Sequence, residues 1–383
     1  MALDRLFNVA RKEFSDHITS RRFVIILALL LVISAIGMHT GIGHYNDRLE
    51  SYNQQLQQME ESDAMVKVVG PYPGWMPEKP SIMLVFNAMM SYMTTLGGVL
   101  AIAIGFDLVS KEKETRSLKS LLSHPVYRDE IINGKALGGI GALGFAMVLA
   151  LAISLAMLLV FSIVPTLDEF AAILVFGAVS LGFLLAYFAI ALTMSTVAKE
   201  SGNALIYTLV IFFAVTTLLP VLGMMAGDAF AGDRPEPPQM APMPTPVGRS
   251  VTGTASGGGY FVSSASQSVV HRVSEGPVSE GPDPEWQQYE EDMKAYVEKR
   301  MLINDVTNLL SPQTNYYKVA MAVTNPRIAV MMNSPYSTKP MPEETPGLAE
   351  ALSQVWMNIA ALIVFPSVFF AATYIKFMRM DIR

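Results

Sequence analysis

Six long apolar blocks dominate the chain, at residues 23–43, 82–107, 136–164, 170–198, 201–227 and 349–376. A helix that crosses a bilayer needs roughly 20 apolar residues free of charge. Only 16% of the 383 residues are charged, where soluble proteins carry about a quarter. Any one block read alone fits a buried core helix, but six together point to membrane spans. The expected fold is an all-α integral membrane protein with six transmembrane helices. Residues 1–22 carry Arg5, Arg11, Lys12, Arg21 and Arg22, too long and basic a stretch for the n-region of a cleaved signal, so the first block is read as a retained span.

Lys and Arg set the orientation, because short cytoplasmic loops hold the excess of positive charge. Segments 1–22, 108–135 and 377–383 are rich in it, and Lys199 and Lys376 lie at span ends on the same side. The loop over 44–81 has only Arg48, Lys67 and Lys79. Both termini are therefore expected in the cytoplasm of a multi-pass plasma-membrane protein. In residues 1–22, Leu3, Leu6, Phe7, Ala10, Phe14 and Ile18 recur at helical spacing, which predicts an amphipathic helix lying in the membrane interface.

Outside, residues 44–81 begin as a helical extension of the first span, with Tyr45, Leu49, Tyr52, Leu56 and Met59 on one stripe. The extension ends before the run Gly70 to Gly74, which cannot be regular helix. A large extracellular insertion, 228–348, separates spans five and six. Its 233–284 part is rich in Pro, Gly and Ser and reads as flexible, with a short β-like run at Tyr260 to Val262 and Val269-Val270. Its 285–325 part reads as helical, and the stripe from Trp286 to Met301 is expected to pack against the Tyr45 to Met59 stripe as an outer cap.

The loop 108–135 is the most informative stretch. It has an acidic pair, Glu112 and Glu114, then Leu118, Leu121, Leu122, Ser123, Pro125, Arg128 and a closing Gly134-Lys135. This order resembles the ABC type-2 transporter permease family, in which an acidic pair precedes Gly-Thr-Leu, a Leu-Leu-Ser-x-Pro step, an Arg and a Gly-Lys. The usual Gly-Thr is replaced by Arg116-Ser117, and Arg takes φ > 0 less readily than Gly. Ser311-Pro312 and the closing residues Met380 to Arg383 are also similar to that family. The resemblance implies a coupling helix that seats in a separate ATPase subunit, carried by Glu112, Glu114, Thr115, Leu118, Leu121, Leu122, Pro125 and Arg128. A helix over 115–122 with an apolar knob, a charged rim and a proline stop suits docking into a groove; a lipid-surface loop with basic anchors is the plainer reading.

The chain lacks its own engine. Gly134-Lys135 is followed by Ala136, and Asp129 stands where the first glycine of a phosphate cradle belongs. ATP and Mg²⁺ are thus expected on a partner P-loop ATPase, with no cofactor in this chain and no enzymatic activity of its own. A second permease copy is expected, most simply as a homodimer. The net charge of −6 argues against nucleic acid. With no cysteine and no metal-spaced His, no metal site is assigned. Met240, Met243, Met331, Met332 and Met341 fit either Cu(I)-binding thioethers or apolar filler.

Polar groups inside spans face other helices or a pathway. Pathway candidates are Asn87, Ser91 and Thr95 in the second span and Asn203, Tyr207 and Thr208 in the fifth. Gly97, Ala101 and Gly105, and likewise Gly134 and Gly138, form small-residue ridges for close helix contact. The function expected is ATP-driven export by alternating access. The alternative is a membrane-anchored interaction or mechanotransmission protein driven by an associated ATPase.

Overall fold

The computed structural model describes residues 2–61, 79–117, 127–238, 284–333 and 346–380. Every regular element among them is helical, and six helices are long and apolar enough to cross a membrane: Arg21–Gln58, Ile82–Glu114, Arg128–Val160, Leu167–Val197, Ser201–Ala231 and Trp356–Met378. The chain divides into two compact units, Met1–Ala226 with Ile303–Arg383, and Gly227–Leu302.

Helix α1 (Ala2–Thr19) precedes α2 (Arg21–Glu61). At about 1.5 Å per residue, α2 is ~60 Å long, twice a bilayer's hydrocarbon core. The second span starts with the turn Ile82–Leu84 and continues as α3 (Val85–Tyr92), a π-helical segment (Met93–Gly97) and α4 (Gly98–Gly105). After it come α5 (Ser110–Glu114), α6 (Arg128–Val160) and α7 (Leu167–Val197). The fifth span is α8 (Ser201–Phe213), a second π-helical segment (Ala214–Leu218) and α9 (Leu219–Ala231). Then follow α10 (Pro284–Asn308), α11 (Pro312–Thr324), α12 (Pro326–Asn333), α13 (Leu348–Gln354) and α14 (Trp356–Met378).

Local signals explain the punctuation. Thr166 and Glu169 cap α7 reciprocally: Glu169 N donates to Thr166 Oγ1 at 3.3 Å and Thr166 N donates to Glu169 Oε2 at 2.8 Å. The preceding helix closes with Ser162 at φ 60 and Ile163 N donating back to Leu158 O at 2.9 Å, so two antiparallel spans join through a few residues. Ser311 caps α11, with Pro312 at its first position.

Helix α7 is the centre of the first unit. Its only charges, Asp168 and Glu169, lie in the first turn, and the rest is uncharged and mostly apolar on every side. Every residue from Ala186 to Thr193 is buried, as α4, α6, α8, α11 and α14 pack around it. The approach is close because small residues permit it. A Cβ on Gly105 would lie 3.0 Å from Ala191 Cβ, and one on Gly139 would lie 2.2 Å from Phe188 Cζ. Gly97 likewise faces Phe183 and Leu184. Hydroxyls stitch the same helix outward: Ser180 to Tyr316 at 3.1 Å, Tyr187 to Thr216 at 2.9 Å and Thr193 to Thr373 at 2.8 Å.

The structure buries α11 beside α7 and α14 rather than leaving it as part of an outer arm. Its 13 residues are too few to span. Val319, Ala320, Ala322 and Val323 are nonetheless fully packed, and Asn358 Nδ2 donates to Asn315 Oδ1 at 2.7 Å. In the second unit, Asp228 and Arg300 form an ion pair and the rings of Trp286 and Tyr289 meet edge-on. The run Gly70 to Gly74, the β-like run at Tyr260 to Val262 and Val269-Val270, and Met240, Met243 and Met341 lie outside the described residues, as do the side chains of Met331 and Met332.

The tightest crossing is between α2 and α3, where a Cβ on Gly41 would sit 2.0 Å from Val85 O. Backbone cannot yield as a side chain does, so Gly41→Ala is expected to destabilise the detergent-solubilised chain by about 1–3 kcal/mol. Gly43→Ala, two positions on with nothing within 4 Å, should be neutral or stabilising by up to about 1 kcal/mol. Thermal unfolding of both variants checks this; equal melting temperatures would refute the close crossing.

Candidate functional site

The second span ends in five residues, α5, that tie together most of one end of the helical bundle. Val109 N and Ser110 N donate to Ser195 Oγ at 2.9 and 3.0 Å, so a hydroxyl from α7 satisfies the amides at the start of this short helix. The side chains of Glu112, Lys113 and Glu114 alternate in charge, and each reaches a different element.

Glu112 accepts from Lys135 Nζ at 2.6 Å, and Lys135 also donates to Glu13 of α1 at 3.0 Å. Lys135 is only 2% exposed, and a cation taken out of water is tolerated only when paired and hydrogen-bonded. Lys113 Nζ donates to the carbonyls of Thr196 and Ala198 at 2.5 and 3.0 Å, placing a cation on the C-terminal end of α7. Glu114 accepts from Ser201 N at 3.3 Å and Ser201 Oγ at 3.0 Å, placing an anion on the N-terminal end of α8. Both signs complement the helix dipoles. Glu112, Lys113 and Glu114 thus bind the second span to the third, fourth and fifth.

Neighbouring contacts extend the cluster. Arg22 pairs with Asp107 across spans one and two. Arg128 donates to Met380 O at 2.9 Å, and Arg5 pairs with Glu130 at 3.2 Å while lying over the Tyr127 ring. The N-terminal helix and Met380 therefore meet at the same end of the bundle. Gly134 and Gly138 receive α1: a Cβ at either would lie 2.4 Å from Val9 Cγ1 or 2.6 Å from Glu13 Cβ.

Beyond α5 the chain turns sharply. Thr115 Oγ1 donates to Lys111 O at 2.9 Å, and Arg116 adopts φ 58. Arginine here takes a left-handed turn that glycine would make more cheaply. Thr115 and Arg116 form this turn instead of starting a helix, which corrects the helix expected from Thr115 onward; helical geometry resumes at Ser117. Leu118, Leu121, Leu122 and Pro125 lie outside the described residues.

The pathway candidates divide. Asn87, Ser91 and Thr95 fall on one edge of the second span, with Ser91 and Thr95 exposed, their hydroxyls donating to Asn87 O and Ser91 O. Asn203 and Tyr207 share an exposed face of α8, but Thr208 is buried, its hydroxyl donating to Ala204 O at 2.7 Å. The fifth span is 11% buried along its most apolar stretch, against 61% for the fourth. Each of these polar edges leads into a π-helical segment carrying a Thr-Thr pair, Met93–Gly97 in one span and Ala214–Leu218 in the other.

Sequence reasoning missed Glu13, Lys113, Ser195 and Ser201. The available signal was general: a lysine in the first turns of an apolar span needs carboxylate partners, but only the packing of α1 on Gly138 shows that Glu13 is one of them.

A cavity of about 310 Å³ beside the cluster is lined by Glu13, His17, Asp107, Glu112 and Lys135, among others. Burial holds the His17 imidazole below its usual pKa, against the pull of Glu13, and its Nε2 has no hydrogen-bond partner among the described residues.

A family model described as ABC-2 family transporter protein matches residues 7–382. No curated protein matches the chain.

Removing the buried cation should cost more than removing either acid. Lys135→Met is expected to destabilise the chain by about 2–3 kcal/mol, less than for a fully buried pair because both carboxylates keep some contact with solvent. Adding Glu13→Gln and Glu112→Gln should recover part of that loss in thermal unfolding. His17 supplies a pH dependence of known sign. Its folded pKa is depressed, so the unfolded state binds more protons between that value and 6.5, and stability rises with pH across that window. His17→Gln should flatten the rise in melting temperature from pH 5.5 to about 7.5.

Proposed function

The chain belongs to the ABC-2 family of transporter proteins, and on that premise we propose that it forms the translocation route of an ATP-driven exporter whose ATPase is a separate subunit. As a permease subunit of an ABC transporter, it must receive the ATPase's movement through its own backbone. The observation that carries the reading is the α5 cluster, where three consecutive charged residues grip spans three, four and five. Force applied to the adjoining loop reaches all of them at once.

In this reading both termini and the loop around 115–125 face the cytoplasm. Leu118, Leu121 and Leu122 form the apolar knob that seats in the ATPase, with Arg128 and Thr115 on its rim. The insertion between the fifth and sixth spans is extracellular apart from α11, which packs within the bundle. A second copy of the chain completes the route, and the barely covered fifth span with Asn203 and Tyr207 supports that arrangement. Alternating access follows if the two copies rock against each other while α5 holds each copy's spans in register.

Affinity purification of the tagged chain from native membranes in mild detergent tests this. A P-loop ATPase should copurify stoichiometrically, and Leu121→Asp with Leu122→Asp should lower its recovery at least tenfold. Lys113→Met should leave the ATPase bound but reduce substrate-dependent ATP turnover several-fold. A folded chain that captures no ATPase would overturn the reading.

A further inference from the structure

The π-helical segments among the described residues lie in the second and fifth spans, at Met93–Gly97 and Ala214–Leu218. A π turn bonds each N–H five residues back instead of four, so it holds one residue more than an α turn. Pro220 follows the second segment closely. It has no N–H to give, so Thr216 O in an α turn, or Val215 O in a π turn, lacks that bond. The fifth span therefore misses a rung here whichever way it winds, and side chains decide its local geometry.

The two segments meet the same side chain. Tyr187 of α7 is fully buried, and its hydroxyl shares a hydrogen bond with Thr216 Oγ1 at 2.9 Å, inside the fifth span's π segment. Its ring meets that of Phe212 edge-on at 5.1 Å, two residues before that segment. Gly98 directly follows the second span's π segment, and a Cβ on it would lie 3.0 Å from both Tyr187 Cδ2 and Phe212 Cε2. Helix α11 packs against both segments as well, and the Gln313 backbone in its first turn hydrogen-bonds the Tyr187 hydroxyl.

The halves of the fifth span are anchored apart. Glu114 holds the start of α8 through Ser201. On α9, Gly223 admits Thr307 of α10, whose Cβ would be 2.9 Å from a Cβ at that glycine. A helix fixed on both sides of a π segment and a proline bends or turns between them.

We propose that Tyr187 is a positioning residue: its hydroxyl latches the π segment of the fifth span, and its ring links that segment to the one in the second span through Gly98. Loss of the bond frees α9 to turn relative to α8. One residue of helical register is about 100° of turn, which carries a point roughly 5–6 Å from the helix axis by ~8 Å. That such a turn changes the translocation route rests on the function proposed above. The latch itself does not.

The chain has no cysteine, so introduced pairs of spin labels report without background. Full-length chain in dodecyl maltoside is labelled at Val164→Cys and Met225→Cys, both exposed, and the distance between the labels is read by double electron–electron resonance. A second pair, Leu137→Cys and Ile206→Cys, reports on α8. Tyr187→Phe, which keeps the ring, and Thr216→Val, which keeps the shape, should each shift the first distance by several ångströms and leave the second unchanged. Thr216→Ser keeps the hydroxyl and should match wild type. Gly98→Ala, on the second span, should shift the first distance by pressing on Tyr187. Ser180→Ala breaks another buried hydroxyl pair of α7 and should leave both distances unchanged. The inference falls if Tyr187→Phe and Thr216→Val give wild-type distances, if Gly98→Ala does, or if Ser180→Ala shifts the first distance equally. The ATPase copurification is scored separately: a latch without an ATPase removes the transport reading alone, and an ATPase without a latch removes this inference alone.

Discussion

An ammonium group removed from water organises one end of this molecule. Lys135 sits in the first turns of an otherwise apolar span, 2% exposed, and is accommodated there because Glu13 and Glu112 approach from α1 and α5. Neither carboxylate can leave without stranding a charge, so the helices that carry them are held to the third span. Lys113 and Glu114 then fix the end of α7 and the start of α8 through backbone groups that the helix termini leave unpaired. The exchange of one charge for another along α5 gives a short helix, too short to be stable alone, its place in the structure.

The middle of the bundle depends on a different force. Helix α7 has no polar face, and lipid offers it nothing that other helices do not. Its burial follows from how closely neighbours approach, which glycine and alanine at the contacts set: Gly105 and Gly139 admit Ala191 and Phe188 where any larger residue would hold the helices apart. The hydroxyl pairs from Ser180, Tyr187 and Thr193 join α7 to α11, the fifth span and α14. They add direction to packing that is otherwise nonspecific.

Two stretches of the mostly apolar uncovered surface carry polar groups. The second span shows Ser91 and Thr95, the fifth shows Asn203 and Tyr207, and both are interrupted by π-helical turns of a kind often found at functional sites. The charged cluster around α5 lies at one end of these spans.

Hydropathy is a sum over neighbouring residues, so the number of spans and the helical class were readable from local stretches of sequence. The family resemblance was readable too, because Glu112, Glu114, Arg128 and Gly134-Lys135 keep their order in one loop. Contact is not a local property. Nothing in the spacing told that Lys135 would meet Glu13, 122 residues away, that Arg116 would take the left-handed turn in place of glycine, or that Thr208 would be buried while Tyr207 was exposed. The burial of α11 was hidden for the same reason: its 13 residues are too few and too polar to register as a span, and only the groove between α7 and α14 gives its apolar face a partner. The sequence by itself determined which segments enter the membrane, since each must satisfy the bilayer alone. Tertiary structure decided which of their charges and hydroxyls meet, since that depends on how closely the spans pack.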